Sequence, residues 1–301
     1  MPLPIVHNPN YNAEMPAGHR FPMGKFLGVA NALRLQGLVA SSGFHEPAPA
    51  PASWVSLAHQ RAYVDQVFSA DVPKKIAREV GFPMTKSVGL RARCATGGTV
   101  LTARLALEHG LACNTAGGSH HARAEQGAGF CVFNDVAVAS RVLQAEGQAQ
   151  KVLVVDLDVH QGDGTASIFA DDDSVFTFSM HAEKNYPVRK VASNMDIGLP
   201  DQTADKDYLA QLRDVLPGLI ADTAPDIIFY NAGVDPHQDD RLGRLSLSDA
   251  GLEERDHLVI GLARDNHIPL AGVLGGGYSR DIEALAQRHT TLHRVASQFV
   301  S

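Results

Sequence analysis

The feature that most constrains the fold is an alternation of two kinds of stretch along the chain. Short stretches that would be apolar on both faces of a strand alternate with longer stretches that have the periodicity of a helix. Strands of this kind, separated by helices, are typical of a parallel sheet that is covered on both sides. The predicted strands are LACNT (111–115), KVLVVDLD (151–158), SVFTFSM (174–180), DIIFYNAG (226–233) and IPLAGVLGGG (268–277). The predicted helices are 134–147, 208–222 with an interruption near Pro217, 248–265 and 280–297. We therefore predict an α/β protein in which residues 1–301 form a single domain around a central, mostly parallel sheet with helices on both faces.

The charge balance narrows the class of partner. The chain carries 26 basic and 33 acidic residues, a net charge of −7, which argues against direct binding of nucleic acid. A net negative charge would attract a cationic substrate, although a role in solubility alone would also explain the charge. The three cysteines have no CxxC spacing, and we see neither a signal peptide nor an apolar stretch long enough to span a membrane. We expect a cytoplasmic protein.

Polar side chains cluster where the predicted strands end. In open parallel sheets, ligands bind beyond the carboxyl ends of the strands. Four of these strands have acids, histidines, or a tyrosine after three glycines at their carboxyl ends or shortly after them. These residues are Asp156, Asp158, His160 and Asp163; Asp235; His120 and His121; and Gly275, Gly276, Gly277 and Tyr278. This edge of the sheet is therefore the predicted functional site.

Three of these residues form a candidate metal site. Asp158 and His160 are two residues apart, so in an extended chain they face the same side, and Asp235 at another strand end is the candidate third ligand. Two carboxylates and one imidazole, without sulfur, suit a catalytic Zn²⁺ or Fe²⁺ with an open coordination position. The alternative is a solvated acidic loop with a helix cap.

The paired histidines His120 and His121 are candidates for acid–base chemistry. A carboxylate behind an imidazole fixes its tautomer, and Asp156 and Asp163 are the candidate carboxylates. Neighbouring histidines in different surroundings can have separate pKa values, so that one acts as a neutral base and the other as a helper. For either aspartate the alternative is a turn or N-cap residue.

Two aromatic residues have both a functional and a structural interpretation. The phenol of Tyr278 can donate a hydrogen bond to a developing oxyanion, or the residue can be a tyrosine at the rim of the site. Phe130 lies in the glycine-rich stretch GAGFCVFND (127–135) and can line a narrow channel or belong to the core.

The motifs GGSHHA, GFCVFND, DLDVHQGDG, NAGVD and GGGY stand in the order and spacing of the histone deacetylase superfamily, which the chain resembles over nearly its whole length. Gln161, where most members have a second histidine, together with GGTVLTARLALEHG (97–110), resembles the class IV branch and its bacterial relatives. The resemblance implies the arginase–deacetylase fold and removal of an acyl group, acetyl or longer, from a lysine side chain.

The resemblance also implies roles for individual residues. Asp158, His160 and Asp235 match the Zn²⁺ ligands. His121 with Asp163 matches the general base, His120 with Asp156 its electrostatic partner, and Tyr278 the oxyanion donor. Gly129 matches the residue whose carbonyl receives the substrate amide, and Phe130 and Tyr186 match the two walls of the acyl-lysine tunnel. A structural K⁺ is implied at main-chain oxygens of Asp156, Asp158, His160, Ser179 and Met180.

Other functions remain open at the level of sequence. The acidic rim residue with which many histone deacetylases bind the peptide backbone has no clear counterpart, so an acetylpolyamine or another small amide is an alternative substrate. An arginase-type ureohydrolase would need a second metal ion with further Asp and His ligands, and Gln161 argues against it. A non-catalytic binding protein would have lost a ligand, the base or the tyrosine, and all of these are retained.

Overall fold

The computed structural model describes residues 2–300, and their central feature is one seven-stranded sheet in which every neighbouring pair is parallel. The strands are β1 (Ile5–Val6), β2 (Leu111–Asn114), β3 (Val152–Asp156), β4 (Val175–Ala182), β5 (Met195–Leu199), β6 (Ile227–Asn231) and β7 (Leu270–Val273). Their order across the sheet is β1-β2-β7-β6-β3-β4-β5. The predicted parallel α/β architecture is confirmed.

Ten α-helices accompany the sheet in the described residues. They are α1 (Lys25–Leu35), α2 (Ala52–Val55), α3 (Arg61–Ser69), α4 (Lys74–Val80), α5 (Lys86–His109), α6 (Asp135–Ala145), α7 (Asp163–Ile168), α8 (Asp205–Thr223), α9 (Asp249–Asp265) and α10 (Ile282–Ala296). Short 3-10 turns lie at Pro9–Tyr11 and Ser297–Phe299. None of these helices is both long and apolar enough to cross a membrane.

The strands are buried on both faces because helices pack on each side of the sheet. Successive side chains of a strand point to opposite faces. Leu153 and Val155 accordingly belong to the core cluster that α1, α8, α9 and α10 share, whereas Val152 and Val154 belong to a second cluster with α6 and the second half of α5. This two-sided burial is the reason that β3 is apolar at four consecutive positions.

The sequence prediction of an interrupted helix near Pro217 is wrong, because α8 continues through that residue. A proline inside a helix removes one amide donor and leaves the carbonyl four residues earlier without its partner. Pro217 and Arg213 lie on the exposed face of α8, where water can hydrate that carbonyl, while Leu212, Leu216 and Leu219 are buried against the sheet. Packing of the apolar face therefore maintains the helix.

Strand register brings the predicted site residues to one edge. Asp156, the last residue of β3, lies beside Asn231 at the end of β6 and beside Ser179 of β4. The carboxyl ends of β2 and β7 follow on the other side of β6. Residues that immediately follow these strands therefore meet although they are distant in sequence.

Candidate active site

His120 is held by a carboxylate on the central strand. Its Nδ1 lies 2.7 Å from Oδ2 of Asp156, and the Asn231 amide donates to the other oxygen of that carboxylate at 2.9 Å. Burial lowers the pKa of His120, but the carboxylates of Asp156 and Asp158 outweigh it and raise the pKa to about 9. His120 is therefore an imidazolium at neutral pH.

His121 has a different environment. Its Nδ1 lies 2.6 Å from Oδ1 of Asp163, and Arg123 donates to the second oxygen of Asp163 at 2.8 Å. Burial and the neighbouring positive charge of His120 hold the pKa of His121 at about 3. His121 is therefore a neutral imidazole that can accept a proton at neutral pH.

The two histidines are in direct contact but are not equivalent. Their Nε2 atoms lie 3.1 Å apart, and one ring carries the charge that keeps the other neutral. Asp163 is the first residue of α7, and its carboxylate contacts His121 and Arg123. Its side chain therefore does more than cap a helix, which was the alternative that the sequence left open. The pairing predicted for the two aspartates corresponds to the contacts observed.

Asp158, His160 and Asp235 offer ligand atoms that all lie within 4.8 Å of one another, and the three side chains are buried. Nδ1 of His160 is 3.0 Å from Oδ1 of Asp158 and 3.2 Å from Oδ2 of Asp235. Oδ2 of Asp235 is fully buried and makes no hydrogen bond of good geometry. Burial and the nearby Asp158 carboxylate raise the pKa of Asp235 to about 7. Burial lowers the pKa of His160, but the two carboxylates outweigh it and raise the pKa to about 10. Two buried carboxylates thus require a positive charge beside them, which a bound cation can supply in place of the imidazolium.

The surrounding main chain fits a metal ion as well. The Gly276 amide donates to Oδ2 of Asp158 at 2.6 Å, and the Val159 amide donates to Oδ1 of Asp235 at 2.9 Å. A Cβ at Gly276 would lie 2.0 Å from Oδ2 of Asp235, so only glycine can pass this close. These contacts orient the oxygens, as outer-shell partners of metal ligands do.

Tyr278 lies at the inner end of a tunnel of about 290 Å³ that leads from the surface to His121 and His160. Gly129, Phe130, Tyr186 and Leu242 line its walls. The ring of Tyr186 is 4.7 Å from that of His121 and perpendicular to it, and the Phe130 ring lies 6.0 Å from that of Tyr278. The residues predicted as tunnel walls and oxyanion donor thus surround one narrow space.

Gln161, which the sequence singled out, anchors one wall of this tunnel. Its amide donates to the carbonyl of Val191 at 2.8 Å and to Asp196 at 2.9 Å, and its Oε1 accepts from the Val191 amide at 3.1 Å. The segment that ends at Val191 includes Tyr186. Gln161 therefore supports the loop that carries Tyr186.

Several residues of the site were not predicted from the sequence. Asp240 accepts a hydrogen bond from the Tyr278 amide at 2.7 Å. Buried Lys25 donates to the carbonyls of Gly275 and Gly277 at 3.2 and 3.4 Å. Lys25 and Asp240 fix the glycine turn before Tyr278, and Asn231 and Arg123 fix the histidine pairs. Only Asn231 had a signal in the sequence, since it lies near the carboxyl end of the predicted strand 226–233.

The predicted K⁺ residues lie next to the histidine pairs. Asp156 is beside Ser179 in the sheet, and Met180 follows Ser179 in buried β4. Asp158 and His160 belong to the turn after β3. Main-chain binding of K⁺ at these residues stays a prediction.

Comparison with known proteins agrees with the fold and motifs. Residues 19–294 match the family model described as the histone deacetylase domain. Histone deacetylase 2 of Arabidopsis thaliana is 30% identical over 271 residues, 87% of this chain and 70% of that protein. A probable deacetylase of Methanothermobacter thermautotrophicus is 29% identical, over 96% of this chain and 89% of its own.

Two further comparisons extend over the full length. An uncharacterized protein of Picosynechococcus sp. is 46% identical over 296 residues, 98% of this chain and 99% of its own. The crystal structure of the HDA15 HD domain superposes with a TM-score of 0.82 at 22% identity, covering 99% of this chain and 89% of that one. That likeness supports the arginase–deacetylase fold, and the match over residues 19–294 confirms the resemblance noted in the sequence. The chain therefore belongs to the histone deacetylase family of hydrolases.

Proposed function

We propose that the protein is a metal-dependent amide hydrolase that removes an acyl group from a lysine side chain. The observation that carries the proposal is the convergence of two histidine–aspartate pairs, a buried Asp-His-Asp cluster and Tyr278 at the inner end of one tunnel. A tunnel of about 290 Å³ that is lined by Phe130 and Tyr186 and reaches His121 and His160 suits the side chain of an acylated lysine.

Asp158, His160 and Asp235 would hold the ion, and Zn²⁺ or Fe²⁺ fits this donor set. When bound, such an ion polarises a carbonyl group and lowers the pKa of water. Oδ2 of Asp235, which is buried and makes no hydrogen bond of good geometry, and the close approach of Gly276 support this assignment.

The reaction requires one group that takes a proton from water and one that stabilises the oxyanion. His121 is neutral and is held by Asp163, so its Nε2 can take the proton. Burial and nearby carboxylates raise the pKa of Tyr278 well above its ordinary value, so its phenol stays protonated and can donate to the oxyanion. A histidine of the pair then protonates the amine as the C–N bond breaks.

The tunnel walls position the substrate. Phe130 and Tyr186 would contact the methylene groups of the lysine, and the Gly129 carbonyl would accept a hydrogen bond from its amide. The Gly129 carbonyl has only a weak thiol contact, with Cys131 Sγ at 3.6 Å. An acceptor at this position would fix the orientation of the scissile bond.

An acetylpolyamine is the alternative substrate, and the charge at the tunnel mouth disfavours it. Arg20 and Arg78 line the mouth, are exposed, and form no ion pair with another described residue. These two positive charges outnumber the one carboxylate that lines the mouth, Glu79. A polycation would meet like charge there despite the net charge of −7. The lysine of a protein or peptide is therefore the preferred substrate.

Two other functions receive less support. A ureohydrolase with two metal ions would need ligands beyond those of Asp158, His160 and Asp235, which form the one such cluster found among residues 2–300. A non-catalytic binding protein would have no reason to keep Tyr278, His121 and Asp163 in these mutual positions.

The remaining parts of the proposal follow from the sequence. We propose that residues 1–301 act as one catalytic domain of the class IV-like branch, in the cytoplasm. A K⁺ held by main-chain oxygens is proposed as a structural ion. Direct contact with nucleic acid is not part of the proposed activity.

The protein loaded with Zn²⁺ is expected to hydrolyse an acyl-lysine peptide, and removal of the ion by a chelator should abolish the activity. One peptide series from acetyl-lysine to myristoyl-lysine, measured beside acetylated polyamines, gives kcat/KM for each substrate. Restoration of activity by Zn²⁺ is the control for damage by the chelator. Faster hydrolysis of acetylated polyamines than of every peptide would reject lysine as the preferred substrate.

A further inference from the structure

A buried guanidinium near the candidate active site has no polar partner. Arg91 on α5 is only 6% exposed, and it makes neither a hydrogen bond nor an ion pair with any residue from 2 to 300. Its contacts are with aromatic rings, at 4.7 Å from the centroid of Phe26, 5.5 Å from Phe21 and 5.9 Å from Phe82. Burial lowers its pKa to about 10, so Arg91 remains charged at neutral pH.

Another arginine shows how this fold pairs a buried guanidinium that has a structural role. Arg255 donates to Asp256 at 2.9 Å and to the carbonyl of Gly233 at 2.6 Å. Burial of a charged group without a partner costs free energy, because the group loses its hydration. Hydrogen bonds to a partner compensate for part of that loss. Arg91 has no such acceptor in the described part of the protein, so its guanidinium is available to a ligand.

Arg91 lines a small chamber of about 30 Å³ directly behind the tunnel. The chamber and the tunnel share His121, Gly129, Phe130 and Tyr278 as lining residues. Asp158 of the candidate metal site faces the chamber, and His160 faces the tunnel. An acyl-lysine whose carbonyl lies at the metal site therefore directs the far end of its acyl group toward Arg91.

The other charged groups around the chamber are already engaged. Asp135 accepts from Thr99 at 2.6 Å and from the Ser119 amide at 2.7 Å, and Asp158 accepts from the Gly276 amide. Lys25 Nζ donates to the glycine turn. The guanidinium of Arg91 thus remains as a donor without an acceptor, and carboxylate is the group whose geometry it matches best.

We propose that Arg91 selects a short acyl group that ends in a carboxylate, with malonyl-lysine and succinyl-lysine as the substrate class. This inference rests on the proposed hydrolase function. The chamber has room for about two water molecules, so a compact anionic end fits better than a long alkyl chain. A carboxylate in the chamber would displace the water that this space can hold and would pair with the guanidinium of Arg91.

The chemistry needs no additional reactant. Water adds to the amide carbonyl, the C–N bond breaks, and the lysine amine leaves with a proton. The products are the free lysine and a dicarboxylate. The carboxylate at the far end of the acyl group takes no part in bond breaking and acts only in recognition.

The test compares acyl groups of matched shape on one peptide. Isovaleryl has the shape of malonyl with two methyl groups in place of the carboxylate oxygens, and 4-methylpentanoyl matches succinyl in the same way. We expect kcat/KM for the charged member of a pair to exceed that for the apolar member by roughly 10- to 100-fold, as for hydrogen bonds between charged groups. Arg91→Met should reduce this ratio by at least about tenfold, and Arg91→Lys should retain part of it.

Arg93→Met is the matched control, because Arg93 lies on the same helix but bonds to the Ala50 carbonyl and is not part of the chamber. This variant should keep the ratio of the parent protein. The melting temperature of Arg91→Met should equal or exceed that of the parent, since the substitution removes an unpaired buried charge. A markedly lower melting temperature would mean that Arg91 has a structural role, contrary to the proposal.

A measurement of peptide binding without turnover tests this inference independently of the proposed function. Calorimetry on chelator-treated protein gives Kd for the malonyl and isovaleryl peptides without turnover, and we expect tighter binding of the malonyl peptide to the parent but not to Arg91→Met. If no acyl-lysine is hydrolysed after Zn²⁺ is restored, the proposed function fails, while the Kd ratio still decides the role of Arg91. Equal affinities, faster hydrolysis of myristoyl-lysine than of malonyl-lysine, or an equal loss for every acyl group in Arg91→Met would overturn the inference.

Discussion

His121→Ala is expected to lower kcat/KM by roughly 10²- to 10⁴-fold, the range for loss of a positioned general base. The neutral imidazole of His121, held at 2.6 Å from Asp163, is the group that can take the proton from water at neutral pH. Bound metal should remain, because His121 is not part of the Asp-His-Asp cluster. Steady-state kinetics at saturating Zn²⁺ measures the loss, and elemental analysis measures the ion.

His120→Ala is the comparison that tests the division of labour between the histidines. We expect a loss that is about tenfold smaller, since the base survives. The Asp156 carboxylate favours the charged form of His120, and that charge lowers the pKa of His121. Removing that charge raises the pKa of His121, so the acid limb of the kcat/KM profile should move to higher pH. Equal losses with identical pH profiles would show that the pair acts as one coupled unit.

Tyr278→Phe is expected to reduce kcat by about 10²- to 10³-fold, as for other side chains that donate to an oxyanion. The substitution removes one hydroxyl at the inner end of the tunnel and keeps the ring that packs near Phe130. The melting temperature, the metal content and KM should stay near those of the parent.

Tyr186→Phe is the matched control for this substitution, because it also removes one tyrosine hydroxyl from the tunnel wall. We assign no donor role to that hydroxyl, so the change in kcat should be much smaller. Near-normal turnover of Tyr278→Phe would show that Tyr278 is a tyrosine at the rim of the site and not the oxyanion donor.

The sequence was sufficient to predict those strands that are buried on both faces. β2, β3, β6 and β7 are largely apolar at consecutive positions, because both faces of each strand meet a helix layer. β4 is also buried, although Thr177, Ser179 and His181 alternate with its apolar residues. β1 has only two residues, and β5 has several exposed or half-buried positions, so neither gives such a stretch. A short strand and an edge strand carry little signal of their own, since neighbouring strands determine them.

The residues of the candidate site also differ in whether the sequence could predict them. Residues that directly follow a strand, such as Asp158, His160 and Asp235, could be predicted because parallel strands end at a common edge. Lys25, Asp240 and Arg91 lie on other segments, and only the packing of α1, α5 and the turn after β6 brings them to the site. Long-range packing is not encoded in local spacing, and these residues were therefore missed.

The central claim is that the Asp158-His160-Asp235 cluster binds the ion on which hydrolysis depends. Its most direct test is the ratio of metal to protein after chelation, reconstitution with Zn²⁺ and removal of free ion, measured together with acyl-lysine hydrolysis. We predict about one ion per chain in the parent protein and in Asp163→Ala, which lacks the carboxylate behind His121 but keeps every ligand. Asp158→Ala should lose both the ion and the activity. Full metal content with undiminished hydrolysis in Asp158→Ala, or hydrolysis by parent protein that contains no metal, would contradict the account.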